Sequence, residues 1–318
     1  MRLAIIGRSE ILHTTALNFL REGHQVSCIL TAKEAPEYTK RAEHFKSLAR
    51  RCGASFAQGA NIAGHTHFLK KSCAQIGISL NYPGIVPQSV IDLFPFGILN
   101  AHGGDLPRYR GNACQSWAIL NGESRIGLCI HKMIGDELDS GDIIAREYLE
   151  VEQHTKITKV WSWMHERIPA LFLQAVDSLE KNQDFILEKQ SKNPANALRC
   201  YPRRPEDGKI DWSKPAVQIL RLINASNKPY AGAFTSFNNK QLIIWDADIL
   251  DDGENFCAIP GQITGIGETF VDVACGEKKL RLKEVEFSNT CGFPTLWITS
   301  IRQRLGILPD VNTSRQKK

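Results

Sequence analysis

No stretch of this chain approaches the roughly 20 consecutive apolar residues that a helix needs to cross a bilayer. The opening run Met1-Arg-Leu-Ala-Ile-Ile-Gly7 has no small-residue cleavage site behind it, so it reads as a first β-strand and not as a secretory leader. No Cys-x-x-Cys pair occurs among the cysteines at 28, 52, 73, 114, 129, 200, 257, 275 and 291, which removes the common zinc and redox frames. Free thiols in a reducing cytoplasm are expected. His65 and His67 stand close together without further ligands at metal spacing, so no metal is expected. After the first strand Gly7 stands without the Gly-x-Gly-x-x-Gly spacing that lets a backbone approach a pyrophosphate, and dinucleotide binding has no support. Charge is not concentrated either. The net +5 is spread out, with clusters only at Arg203-Arg204 and in the tail Arg315-Gln-Lys-Lys318, which admits an anionic substrate without demonstrating nucleic-acid binding. Internal repeats and low-complexity segments are absent.

What is present is the balance of a soluble globular protein, 42% hydrophobic and 23% charged over 318 residues, a length that favours two domains. Strand-like runs at 3–6, 24–30, 77–81, 97–101 and 125–133 alternate with helical stretches at 10–22, 36–51, 61–75 and 113–121. That alternation predicts an open α/β sheet, mostly parallel and Rossmann-like, with helices on both faces. An amphipathic segment follows at 156–181, and then a polar, weakly patterned stretch over 183–208. Beyond a helix at 214–225, short strands at 231–237, 241–246, 261–266, 269–274 and 279–286 broken by Asn, Gly and Asp-Gly predict a small β-barrel or sandwich. The domains are therefore placed at 1–190 and 209–318, with 191–208 as linker.

Three segments carry the chemistry: Asn100-Ala-His-Gly-Gly-Asp-Leu-Pro-Arg-Tyr-Arg-Gly111, Trp117-Ala-Ile-Leu-Asn-Gly-Glu123, and Asp136-Glu-Leu-Asp-Ser-Gly-Asp142. Side chains alternate along a strand, so Asn100 and His102 leave it on the same side and can converge on one atom. Strand ends in open α/β sheets are where ligands bind, and Gly103-Gly104 allows a close approach to the backbone. An Asp from a second loop, Asp139, completes a constellation able to do acyl transfer.

These segments resemble the folate-dependent formyltransferases, the family of methionyl-tRNA formyltransferase, glycinamide ribonucleotide transformylase and the N-formyltransferases of nucleotide-linked amino sugars. The family signature is Asn-x-His, a Leu-Pro shortly after, a Tyr/Trp-Arg-Gly turn, a helix ending near Asn-Gly-Glu, and a Leu-Asp-x-Gly loop. The resemblance extends to Pro205-Glu-Asp-Gly-Lys-Ile-Asp-Trp212 and Tyr230-Ala-Gly-Ala-Phe-Thr235. It implies formyl transfer from 10-formyltetrahydrofolate to a primary amine, with Asn100, His102 and Asp139 catalytic. It also implies a pterin held largely by the backbone of Gly84-Ile85-Val86-Pro87 and Gly135-Asp136-Glu137, where the apolar Ile85 and Val86 suit a flat heterocycle.

The departures lie in the wall of the site. Gly104-Asp105-Leu106-Pro107 stands where the family has Ser-Leu-Leu-Pro, Ala113-Cys114-Gln115 where it has Ala-Pro-Ile, and Gly7-Arg8-Ser9-Glu10 where the tRNA enzymes have Gly-Thr-Pro-Glu-Phe. The expected acceptor is therefore a nucleotide-linked amino sugar, with initiator methionyl-tRNA as the alternative. Formyltetrahydrofolate hydrolysis would be expected with a regulatory domain ahead of the first strand. The protein is expected in the cytoplasm, without a membrane partner, and a homodimer is left open.

Overall fold

The computed structural model describes residues 1–36 and 38–306. Two compact units interleave along the chain. The first comprises Met1–Gln115, Arg125–Glu150 and Val160–Pro202, and the second comprises Ser116–Ser124, Val151–Lys159 and the chain from Arg203 onward.

The first unit is built on a seven-stranded sheet. Its strands are β1 (Arg2–Gly7), β2 (Gln25–Thr31), β3 (Ser55–Gln58), β4 (Ile76–Leu80) and β5 (Ile98–His102), followed by a short β6 (Tyr109–Gly111) outside that sheet, then β7 (Arg125–Lys132) and β8 (Ile143–Glu150). A ninth strand, β9 (Leu198–Cys200), pairs in parallel with β6. The order in the large sheet is β3-β2-β1-β4-β5-β7-β8. Strands β1 to β5 run parallel, whereas β7 and β8 are antiparallel to their neighbours. Central β1 and β4 are buried along almost their whole length, as near-continuous apolar runs covered on both faces must be. The helices before the second sheet are α1 (Glu10–Arg21), α2 (Ala42–Cys52), α3 (Thr66–Lys71), α4 (Gln88–Ile91), α5 (Cys114–Asn121), most of which belongs to the second unit, and α6 (Ile157–Lys181), whose first three residues do. Ser9 accepts a hydrogen bond from Leu12 N at the start of α1, the cap that its position before an apolar run suggests.

Strands β3, β6 and β8 and helix α4 were not expected from the sequence pattern, and three expected segments differ in the structure. The helix expected from residue 36 begins at Ala42, after a turn containing Pro36. The helix expected over 61–75 divides into a 3-10 turn at Ile62–His65 and α3. The stretch expected as a linker carries β9, which is hydrogen-bonded beside β6. In the second unit, α7 (Ala216–Ala225) accompanies β10 (Ala233–Phe237), β11 (Lys240–Leu250), β12 (Ile263–Ile266), β13 (Val271–Ala274), β14 (Lys279–Phe287) and β15 (Thr290–Gly292). These six strands form an antiparallel sheet ordered β10-β11-β14-β13-β12, with β15 on β14. Ile219, Leu220 and Ile223 of α7 share a core with Leu242, Ile244, Leu280 and Leu282 of that sheet. No described helix is long and apolar enough to cross a membrane.

Candidate active site

The end of β5 sets the site. Asn100 pairs with Ser79 of β4 on one side and with His131 of β7 on the other, and His102 lies opposite Cys129. Strand alternation carries both side chains to one side, as their spacing requires. Asp139 arrives on the turn between β7 and β8 with φ +47°, a left-handed conformation that Asp tolerates better than most residues. That turn closes tightly because Gly141 has no Cβ: one placed there would stand 1.8 Å from Lys132 O.

The predicted catalytic residues thus meet, and other groups join them. Asp139 Oδ2 accepts a hydrogen bond from Gly111 N at 2.9 Å and stands 3.5 Å from His102 Nδ1. Asp139 Oδ1 stands 3.5 Å from Nε2 of His131. The same Nε2 lies 3.3 Å from Asn100 Nδ2, and His131 Nδ1 donates to Lys132 O. Burial alone would raise the Asp139 carboxyl, but His102, His131 and the Gly111 N–H together hold it well below the usual carboxylate range. Asp139 is therefore an ionised acceptor at neutral pH.

His102 is itself buried, and its Nε2 donates to Tyr109 O at 2.7 Å, since a carbonyl oxygen only accepts. Gly104 permits this approach: a Cβ there would lie 2.5 Å from His102 Nε2 and 2.6 Å from Tyr109 O. His131, the Gly111 amide and the Tyr109 carbonyl are the participants that the sequence did not reveal. No spacing rule links His131 to Asn100; the antiparallel register of β5 and β7 does.

The two loops expected to hold a pterin also come together. Asp136 N donates to Val86 O at 3.4 Å, and Gly135 N donates to the side chain of Gln88, which follows Pro87, at 2.9 Å. Ile85 is 77% exposed, free to meet a flat heterocycle. Val86 is not: its side chain belongs to the core with Ile6, Leu30, Val90 and Phe94, contrary to the expectation that it meets a heterocycle. Gly84 packs beside Ala60 O, and Glu137 accepts from Ser140 Oγ.

Against known proteins, the family model described as formyl transferase matches residues 1–176, and that of the formyl transferase C-terminal domain matches 203–297. The chain belongs to the formyl transferase family. This formyltransferase is 27% identical to a methionyl-tRNA formyltransferase of Acetivibrio thermocellus over 91% of its own length and 93% of the relative's. It is 29% identical to that of Solibacter usitatus over 90% and 91%. The solved N-formyltransferase of Helicobacter canadensis, in complex with folinic acid and dTDP-3-aminofucose, shares its fold at TM-score 0.65 and 17% identity, covering 88% of this chain and 98% of that one. The sugar 3N-formyltransferase WlaRD, solved in the presence of dTDP and 5-N-formyl-THF, does so at 0.63 and 17%, covering 89% and 97%.

Proposed function

We propose that this formyltransferase takes its formyl group from 10-formyltetrahydrofolate and transfers it to the primary amine of a nucleotide-linked amino sugar, with Asn100, His102 and Asp139 as catalytic residues. The convergence of His102, His131 and Gly111 N–H around the largely buried Asp139 carboxylate, with Asn100 beside His131, carries the reading. The neutral amine attacks the formyl carbon, an oxyanion forms, and the C–N bond to the folate nitrogen breaks as that nitrogen gains a proton. Asn100 Nδ2 donates to the oxyanion. His102 joins it by turning its Nε2–H from Tyr109 O to the new charge, a tightening expected once substrate is bound. A carboxyl held as low as that of Asp139 stores no proton at neutral pH, so it orients the imidazoles, and the proton that the attacking amine loses is balanced by the one the departing folate nitrogen gains. The exposed Ile85 and the backbone of 84–87 and 135–137 supply an apolar surface with polar edges for the pterin.

The departures at Gly104-Asp105 and Ala113-Cys114-Gln115 favour the sugar acceptor, and so does the second unit's charge. There Lys156 pairs with Asp246, Lys278 with Asp251, Arg281 with Asp272 and Lys283 with Asp248, so these cations already have anionic partners. The second reading, initiator methionyl-tRNA, is favoured by the identity to the tRNA enzymes across both units and by Lys209, Lys214 and Arg221 sharing one groove.

The deciding assay incubates the enzyme and 10-formyltetrahydrofolate with UDP-, dTDP- and GDP-linked amino sugars and with methionyl-tRNA, and follows tetrahydrofolate release. Formylation of one sugar faster than the tRNA is expected. A tRNA rate above that of every sugar would overturn the sugar acceptor.

A further inference from the structure

We infer that Gln190 is a positioning residue of the formyl-transfer site, its side-chain amide clamping the turn that carries Asp139 while Arg110 holds the amide in place. The inference rests on the proposed role of Asp139. Residues 187–190 run beside the start of β8: Leu187 N and Glu188 N both donate to Ile143 O, Ile143 N donates to Glu188 O, and Gln190 N donates to Asp142 Oδ1. This brings the buried Gln190 side chain under the turn. Its Nε2 donates to Asp139 O at 3.0 Å and to Gly141 O at 2.6 Å, and its Oε1 accepts from Arg110 Nη2 at 2.9 Å.

The amide has only one workable orientation. A guanidinium can only donate and two carbonyls can only accept, so Oε1 must face Arg110 and Nε2 the turn. Arg110 is the β6 neighbour of Gly111, whose N–H holds Asp139 Oδ2. One short strand therefore grips Asp139 twice, directly at its carboxylate and through Gln190 at its backbone. Asp139 sits at φ +47°, so the turn needs such holding to keep the carboxylate aimed at His102 and His131. Misplacement of a catalytic group by about 1 Å can cost on the order of 100-fold in rate. Gln190 touches neither imidazole in any hydrogen bond, so its effect must pass through Asp139.

The test uses the full chain with Gln190→Met, which keeps length and loses all three bonds, and Gln190→Glu, which keeps the acceptor for Arg110 but sets a carboxylate against two carbonyls. Hydrogen exchange of the backbone over 136–142 is expected to quicken in both by about tenfold or more. With 10-formyltetrahydrofolate and whichever acceptor of the assay above the wild type formylates fastest, kcat is expected to fall about 10- to 100-fold, with KM for the folate within about threefold. In an Asp139→Asn background, Gln190→Met should cost less than about a further threefold, because the residue it positions is already lost. Unchanged exchange over 136–142 would overturn the clamp, as would a full, multiplicative rate loss in the Asp139→Asn background. So would a Gln190→Met variant that loses only melting temperature. Wild-type turnover in Asp139→Asn itself would instead refute the catalytic role of Asp139, while the exchange result would still decide whether Gln190 holds the turn.

Discussion

At the scale of single residues, the site depends on a carboxylate that stays charged although it is largely withdrawn from solvent. His102, His131 and Gly111 N–H outweigh desolvation at Asp139, and the consequence for stability has a definite sign. In the unfolded chain such a carboxyl titrates near about 3.9. Its depressed folded value therefore contributes stability that is fully present above that pH and is lost as the pH falls through the folded value. Asp139→Asn is predicted to lower the melting temperature at pH 6 to 7, with the gap to wild type narrowing as the pH drops below about 4; a gap that stays constant down to acid pH would contradict this. Asn100, His102 and Asp139 were legible because their residue types and spacing follow strand alternation and a distinctive loop. His131 and Gln190 were not, since His131 meets Asn100 only through the β5–β7 register and Gln190 reaches the Asp139 turn only from a segment far along the chain, and neither lies in a local motif. Val86 shows the opposite failure. Its apolar side chain suited a ligand on paper, but the core with Val90 and Phe94 takes it.

At the scale of elements, the parallel strands and most helices could be read from their apolar runs and stops, because burial on both faces leaves near-continuous hydrophobic stretches. Strand β8 could not, since Arg146, Glu147 and Tyr148 make its second half polar; Arg146 binds Leu106 O and Tyr148 binds Asp105, partners no pattern reveals. Strands β6 and β9 are three residues each, too short to show a period. The turn from β7 to β8 is the element on which the site most depends. Gly141→Ala would drive a Cβ into Lys132 O, so we predict destabilisation on the order of 1–3 kcal/mol together with a fall in turnover larger than that of alanine at an exposed position of the same turn, such as Leu138→Ala. Denaturant unfolding and steady-state rates of the two variants check this, and a Gly141→Ala protein with wild-type turnover would contradict the placement of Asp139.

At the scale of the whole molecule, the interleaving of the two units explains why the linker was the least legible part of the chain: a polar stretch with few apolar residues looks like a connection even where β9 hydrogen-bonds it beside β6. Charge distribution bears on the acceptor at this scale. A nucleotide sugar presents only its diphosphate, whereas a tRNA enzyme loses log affinity against log salt at roughly 0.7 to 0.9 per phosphate neutralised. We predict that the acceptor's KM rises only slightly between low and moderate salt and that a free nucleoside diphosphate inhibits competitively; a steep slope would favour the tRNA acceptor. The chemistry itself stands or falls on one comparison. His102→Ala and Asn100→Ala, folded by circular dichroism and binding 10-formyltetrahydrofolate as wild type does, are predicted to release tetrahydrofolate at least about 100-fold more slowly, because in the proposed reaction each serves a charge that develops only in the transition state. Near wild-type turnover in either variant would contradict the assignment of formyl transfer to this site.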